Sequence, residues 1–155
     1  MQISFLHWVF QTIPECLALV SLALVLAERK LEIKKVLFVG MALAVIVFGV
    51  RLLPLTFGVH TIIFIIALAA LLNMATKANL SKCLLFALIA EIALIITEMA
   101  VVGVILYFIG LDFDYILSNS FLRIIVGWPQ IIIVLLIALG INKRLNKTNS
   151  LSELS

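Results

Sequence analysis

The sequence predicts an all-α polytopic bundle of five transmembrane helices, with the N-terminus outside and the C-terminus in the cytoplasm. Three observations predict it. First, hydrophobic residues make up 65% of the 155 and charged residues only 12%, with a mean hydropathy of +1.33. A soluble domain is nearer half apolar and about a quarter charged, and one of this size could not hide so much apolar surface from water. Second, the apolar residues fall into five runs, each near the length of about 20 residues that spans a bilayer. None shows the period-two alternation of a membrane β-barrel. Third, the cations gather in alternate connections.

The first run is about 5–27, and the chain opens MQISFLHWVF over residues 1–10. That opening lacks the basic n-region of a cleavable signal, so the run is read as a span. The second run is about 36–53 and the third about 58–75. The fourth, about 82–109, is long enough to tilt. The fifth, about 121–141, leads to a short polar cytoplasmic tail, 143–155, whose end after Lys147, TNSLSELS, is expected to be disordered.

Four cations (Arg29, Lys30, Lys34, Lys35) lie in the first connection. Lys77 and Lys82 lie in the third, and Lys143, Arg144 and Lys147 follow the last run. The second and fourth connections hold one each, Arg51 and Arg123. By the positive-inside rule the first and third connections and the C-terminus are cytoplasmic. The acidic, aromatic connection around Asp112, Phe113, Asp114 and Tyr115 then suits the outer interface.

Against this apolar background the polar residues stand out. An ionised side chain at mid-bilayer costs at least about 2.5–3.5 kcal/mol. Glu91 and Glu98 sit in the fourth run seven residues apart, which places them on one helix face. Ala87 and Ile95 share that face, so it is expected to look into the bundle, with Glu91 nearer the cytoplasmic side. Glu15 follows Pro14, and Gln130 follows Pro129. Proline removes an amide donor and frees a carbonyl, which another group must satisfy in lipid. The connection RLLPLTFGVH, 51–60, is too apolar for a solvated loop. A tight hairpin at Pro54 and Gly58 would let Arg51 and His60 point inward.

Glu15, Arg51, His60, Glu98, Arg123 and Gln130 therefore form the candidate ligand-binding set, with Gln11 beside them, all in the outer half. Two other readings stay open. In one, Arg51 and Arg123 snorkel to outer headgroups while the carboxylates act as interhelical glue; in the other, the set forms an ion or proton path. No half-helix pairs or repeat symmetry support a secondary transporter.

Other chemistry is weakly signalled. His7 and His60 lack metal-ligand spacing, so no metal and no cofactor is expected. Cys16 and Cys83 read as buried thiols packed as small hydrophobes. A cytoplasmic Cys/His peptidase is hard to assemble, because both histidines lie on the outer side, and Ser4, Ser21 and Ser81 have no triad neighbours. No glycine-rich phosphate loop is present. The basic ERKLEIKK connection, 28–35, suits anionic lipid rather than nucleic acid. Gly40 with Ala44, and Ala23 with Ala27, permit close helix approach.

The ordered set FQTIPE (10–15), VRLLPLTFGVHTII (50–63) and IIVGWPQIIIVLL (124–136) resembles the membrane-embedded sensor region of Firmicute histidine kinases of the sporulation and peptide quorum-sensing type. The resemblance covers most of residues 5–141. It implies a ligand-sensing bundle whose C-terminus exits into the cytoplasm. No dimerisation helices, phosphoacceptor region or ATP-binding domain accompanies it here, so a signal is expected to pass to a separate cytoplasmic or membrane protein. The expected function is thus a non-enzymatic sensory or regulatory bundle in the cell membrane, taking a small, lipid or peptide ligand. The alternatives are a substrate-binding subunit of a transporter, for which five spans is one fewer than usual, and a self-associating structural protein or homo-oligomer.

Overall fold

The computed structural model of the protein describes residues 8–28, 30–53, 57–109 and 120–152, and these are helical with short turns between. A π-helical turn, Trp8–Thr12, runs into α1 (Ile13–Glu28). It is followed by α2 (Ile33–Leu52), α3 (Phe57–Thr76), α4 (Leu80–Ile109) and α5 (Ser120–Ser152). All five helices are long and apolar enough to cross a membrane, over Val9–Glu28, Ile33–Leu52, Val59–Thr76, Leu80–Phe108 and Ile124–Lys147. The chain thus has the architecture of a multi-pass membrane bundle. The hairpin expected at Pro54, the acidic connection around Asp112, and His7 lie outside the described residues.

The π-helical start has a local cause. An α-helical turn would press the Pro14 ring against the Phe10 carbonyl, and Pro14 has no amide hydrogen to bond it. Widening the turn relieves that clash.

α1 is the axis of the bundle. Residues 18–25 are buried without a break, as expected of a helix apolar on every side. α1 packs against α2, α3, α4 and α5, while α2 packs on α3, α3 on α4 and α4 on α5. Gly40 sets the α1–α2 distance: a Cβ there would stand 2.6 Å from Leu17 Cδ2 and 3.3 Å from the Leu17 Cα. The Gly40/Ala44 spacing therefore serves close packing within the chain.

One end of the bundle is tied by polar contacts. Lys35 Nζ donates to Glu28 Oε1 at 2.6 Å and Oε2 at 2.8 Å, and lies 3.6 Å from Glu32 Oε2. The Leu31 amide donates to Asn142 Oδ1 across 3.2 Å, joining the α1–α2 turn to α5. In the α3–α4 turn, Asn73 Nδ2 donates to the Ala78 carbonyl at 2.6 Å, and the Ala78 amide donates to Thr76 Oγ1 at 3.2 Å. Lys77 closes α3 in the left-handed region with φ 54°. Lys30, Lys34, Lys77, Lys82, Lys143, Arg144 and Lys147 all belong to this end by helix direction, and Arg51 lies at the other.

Two expectations change. Residues 143–152 continue α5, so 148–152 are helical where disorder was expected. Loss of apolarity at Asn142 marks where lipid contact ends, not where the helix ends. No Pro or Gly follows Gly140, and Lys, Arg and Leu propagate a helix well. The inward stripe of α4 also differs. It is Cys83, Ala87, Ala90 and Leu94, whereas Ile95 is 44% exposed. At 100° per residue Ile95 turns away from Leu94, while Glu98 and Glu91 lie about 40–60° from it, on the flank of the stripe.

Candidate functional site

The helix directions place the polar residues in layers. At about 1.5 Å per residue, counted from Glu28, Leu80 and, for α5, from Asn142 beside the α1–α2 turn, Glu15, Glu91 and Gln130 stand some 16–20 Å up from the basic end. Arg51 and Glu98 stand about 27 Å up, and His60, Thr12 and Gln11 between about 24 and 26 Å. These heights put the first group near the middle of the shorter helices and the second nearer their far ends, as a rim, although α4 runs on about 16 Å past Glu98. Glu91 lies about 10 Å nearer the basic end than Glu98.

Glu15 is the centre of the inner layer. Gln130 Nε2 donates to Glu15 Oε1 at 3.4 Å, linking α5 to α1. Gln130 is only 4% exposed, so its amide has little access to water. Arg51 and Glu98 both act electrostatically on Glu15, and Glu91 interacts in the same way with Glu15 and Glu98. Gln130 and Glu15 are thus in contact, whereas Arg51 on α2 and Glu91 and Glu98 on α4 lie within Coulombic range of Glu15. The proline positions explain part of this. The widened turn before Pro14 delivers Gln11, Thr12 and Glu15 from one short segment, and Pro129 directly precedes Gln130.

At the rim, Arg51 Nη1 donates to Thr12 Oγ1 at 3.5 Å. Thr12 is 1% exposed, whereas Arg51 and Glu98 are both exposed. Between α1 and α5, Gly127 admits Gln11: a Cβ at 127 would stand 2.6 Å from Gln11 Nε2. Three side-chain atoms here are buried with no hydrogen-bond partner: Gln11 Oε1, His60 Nδ1 and Glu91 Oε2. A buried acceptor left without a donor costs on the order of 1–3 kcal/mol.

The structure thus joins Glu15 to Gln130 directly and Arg51 to Thr12, with Arg51 and the exposed Glu98 in Coulombic range of Glu15. His60 lies in the first turn of α3, half-buried at rim level, without a recorded contact to Glu15. Arg123 lies in the first turn of α5, and its side chain is outside the described residues. Sequence reasoning left Glu91 out of the set, and it missed Thr12 and Gly127. Glu91 carried a signal, its spacing from Glu98. Thr12 and Gly127 carried none, because a threonine near a helix start and a glycine in an apolar run are ordinary.

Among the described residues no group of three His, Cys, Asp or Glu side chains converges as metal ligands do. Cys16 and Cys83 are free and buried. Cys83 lies against the Ala78 carbonyl and Thr76 Oγ1 at 3.8 and 3.9 Å, near the basic end and away from the carboxylates. What these residues offer chemically is a set of hydrogen-bond acceptors and carboxyl groups, with the Arg51 guanidinium at the rim among the described residues. No protein-family model, no curated protein and no solved structure matches the chain.

Proposed function

We propose that the chain is a non-enzymatic, multi-pass sensory or regulatory bundle of the cell membrane, with a ligand site at the Glu15 cluster. The observation that carries this reading is the Gln130–Glu15 contact between α5 and α1, with charged side chains of α2 and α4 in Coulombic range and three buried polar atoms left unpaired. Polar groups serving only as glue would be expected to satisfy one another, since unpaired ones weaken the fold. The basic end, which holds Lys30, Lys34, Lys77, Lys82, Lys143, Arg144 and Lys147, faces the cytoplasm by the positive-inside rule. The Arg51–Glu98 rim then opens toward the outside. Ligand binding would shift the packing of α1 against α2, α4 and α5. The turn at Leu31 and the extended end of α5, joined through Asn142, would carry that shift to a separate protein partner.

Thiol accessibility tests the site. In a chain with Cys16→Ala and Cys83→Ala, Gln130→Cys in native membranes should react with a small cationic methanethiosulfonate from one side only. Val134→Cys, one turn deeper and fully buried, should not react. An unreactive Gln130→Cys in folded protein would show a dry polar core and remove the site.

A further inference from the structure

We propose that the last part of α4, residues 98–109, is a lipid-contacting arm that fits the protein to a bilayer thicker than its other four helices require. This goes beyond the ligand site and stands without it. The apolar stretch of α4, Leu80–Phe108, has 29 residues, about 43 Å of helix at 1.5 Å per residue. The stretches of α1, α2 and α3 have 20, 20 and 18, no more than about 30 Å. Between Ile124 and Asn142, α5 rises about 27 Å. α4 cannot slide to share its excess between both ends. Lys82 in its first turn belongs at headgroup depth. The turn before it is held by Asn73 Nδ2 on the Ala78 carbonyl at 2.6 Å and by the Lys77 amide on the Asn73 carbonyl at 2.8 Å. The excess therefore lies at the far end. Leaning by about 20°, the usual tilt, leaves α4 about 41 Å tall against a hydrocarbon core of about 30 Å.

The far end has the surface that acyl chains cover. Leu94 is the last buried residue of α4. From Met99 to Ile109 the one polar side chain is that of Tyr107. Met99 is 70% exposed, Tyr107 84% and Phe108 79%, and leaving such side chains in water forgoes about 1.5–3 kcal/mol each. A neighbouring helix would cover a stripe about 100° wide. Met99, Ala100, Gly103, Val104, Tyr107 and Phe108 are all exposed and span about 180° at 100° per residue. Lipid covers such an arc, and one packed helix does not. Tyr107 marks the level at which the arm leaves the hydrocarbon, since tyrosine favours headgroup depth. The arm also has a joint. The Thr97 hydroxyl is shared between the Ala93 and Leu94 carbonyls at 2.9 and 2.8 Å, and such back-bonding bends a helix. The arm can thus change its lean without disturbing the packed residues up to Leu94.

The test uses the whole chain with Cys16→Ala and Cys83→Ala, and a bimane label on Val104→Cys. The protein is placed in bilayers of dimyristoleoyl, dioleoyl or dierucoyl phosphatidylcholine, in order of increasing thickness. Bimane quenching is compared between a nitroxide on the lipid acyl chain and a nitroxide dissolved in water. In dierucoyl bilayers the acyl nitroxide should be the stronger quencher, and in dimyristoleoyl bilayers the order should reverse. The same label on Ile46→Cys, exposed midway along α2, should answer to the acyl nitroxide in all three. Phe108→Cys carries the same prediction where Val104→Cys fails to fold. Stronger quenching by the soluble nitroxide in all three lipids would mean that the arm stands clear of the bilayer, and would overturn the proposal. Quenching by neither would overturn it too, since protein, such as a second copy of the chain, would then cover the arm. Equal quenching by the acyl nitroxide in all three would keep the lipid contact and overturn the fit to a thick bilayer.

Discussion

Gly40 and Gly127 both admit a neighbour where a methyl group would not fit, yet they are not equivalent. At Gly40 the added Cβ meets the Leu17 backbone as well as its side chain, so α1 and α2 must move apart. At Gly127 it meets the end of the Gln11 side chain, which can swing aside. Gly49 has open space around it. Gly40→Ala should therefore destabilise by about 1–3 kcal/mol. Gly127→Ala should cost under about 1 kcal/mol while displacing Gln11. Gly49→Ala should be neutral or stabilising by up to about 1 kcal/mol. Reversible unfolding in mixed micelles would rank the three, and a Gly49→Ala cost equal to that of Gly40→Ala would refute the packing argument. Lys77 is a residue of another kind. Its φ of 54° is left-handed, which costs a side-chain-bearing residue roughly 1–2 kcal/mol. Lys77→Gly should raise the melting temperature, and a lower one would mean that the lysine side chain contributes more than the strain removes.

The helices show what could be read in advance and what could not. Their number and approximate bounds followed from run length and hydropathy, which report directly on the lipid. Which face of each looked inward did not follow. In water an exposed face is polar, and periodicity exposes it. In a membrane the outer face is as apolar as the core, so the pattern that locates a stripe disappears. This is why Ile95 was grouped with Glu91 and Glu98, and why Glu98 was expected deep in the bundle. Pro14 announced a disturbance of α1, but a widened π turn and a break look alike in sequence. The candidate site was legible as a set of polar residues out of place. Its layering was not, because depth depends on where each helix begins. The end of α5 was set too early because polarity was read as disorder. The contact that fixes this region, Leu31 N to Asn142 Oδ1, spans 111 residues and left no mark in the local sequence. Asn142→Ala should cost about 1 kcal/mol and speed amide exchange at Leu31. Unchanged exchange there would show that the turn is held by other means.

At the scale of the molecule, a helix sheathed by four others carries polar groups in two layers. The basic end is closed by ion pairs and turn hydrogen bonds, and the opposite end carries an exposed arginine and glutamate. In cysteine-free protein, Leu53→Cys should react with an impermeant maleimide from outside the cell. Lys30→Cys should react only after permeabilisation. Labelling of both from one side would reverse or abolish the proposed orientation. The convergence itself is best tested by a double-mutant cycle between Glu15→Gln and Arg51→Leu, with unfolding free energies measured in one detergent. Groups that share an environment show coupling of about 0.5–3 kcal/mol, whereas distant ones add to within about 0.3–0.5 kcal/mol. Coupling in the first range, with additivity for Glu15→Gln and Asn142→Ala as the distant control, is the predicted result. Additive effects at Glu15 and Arg51 would mean that the two helices do not meet there, and the cluster would dissolve.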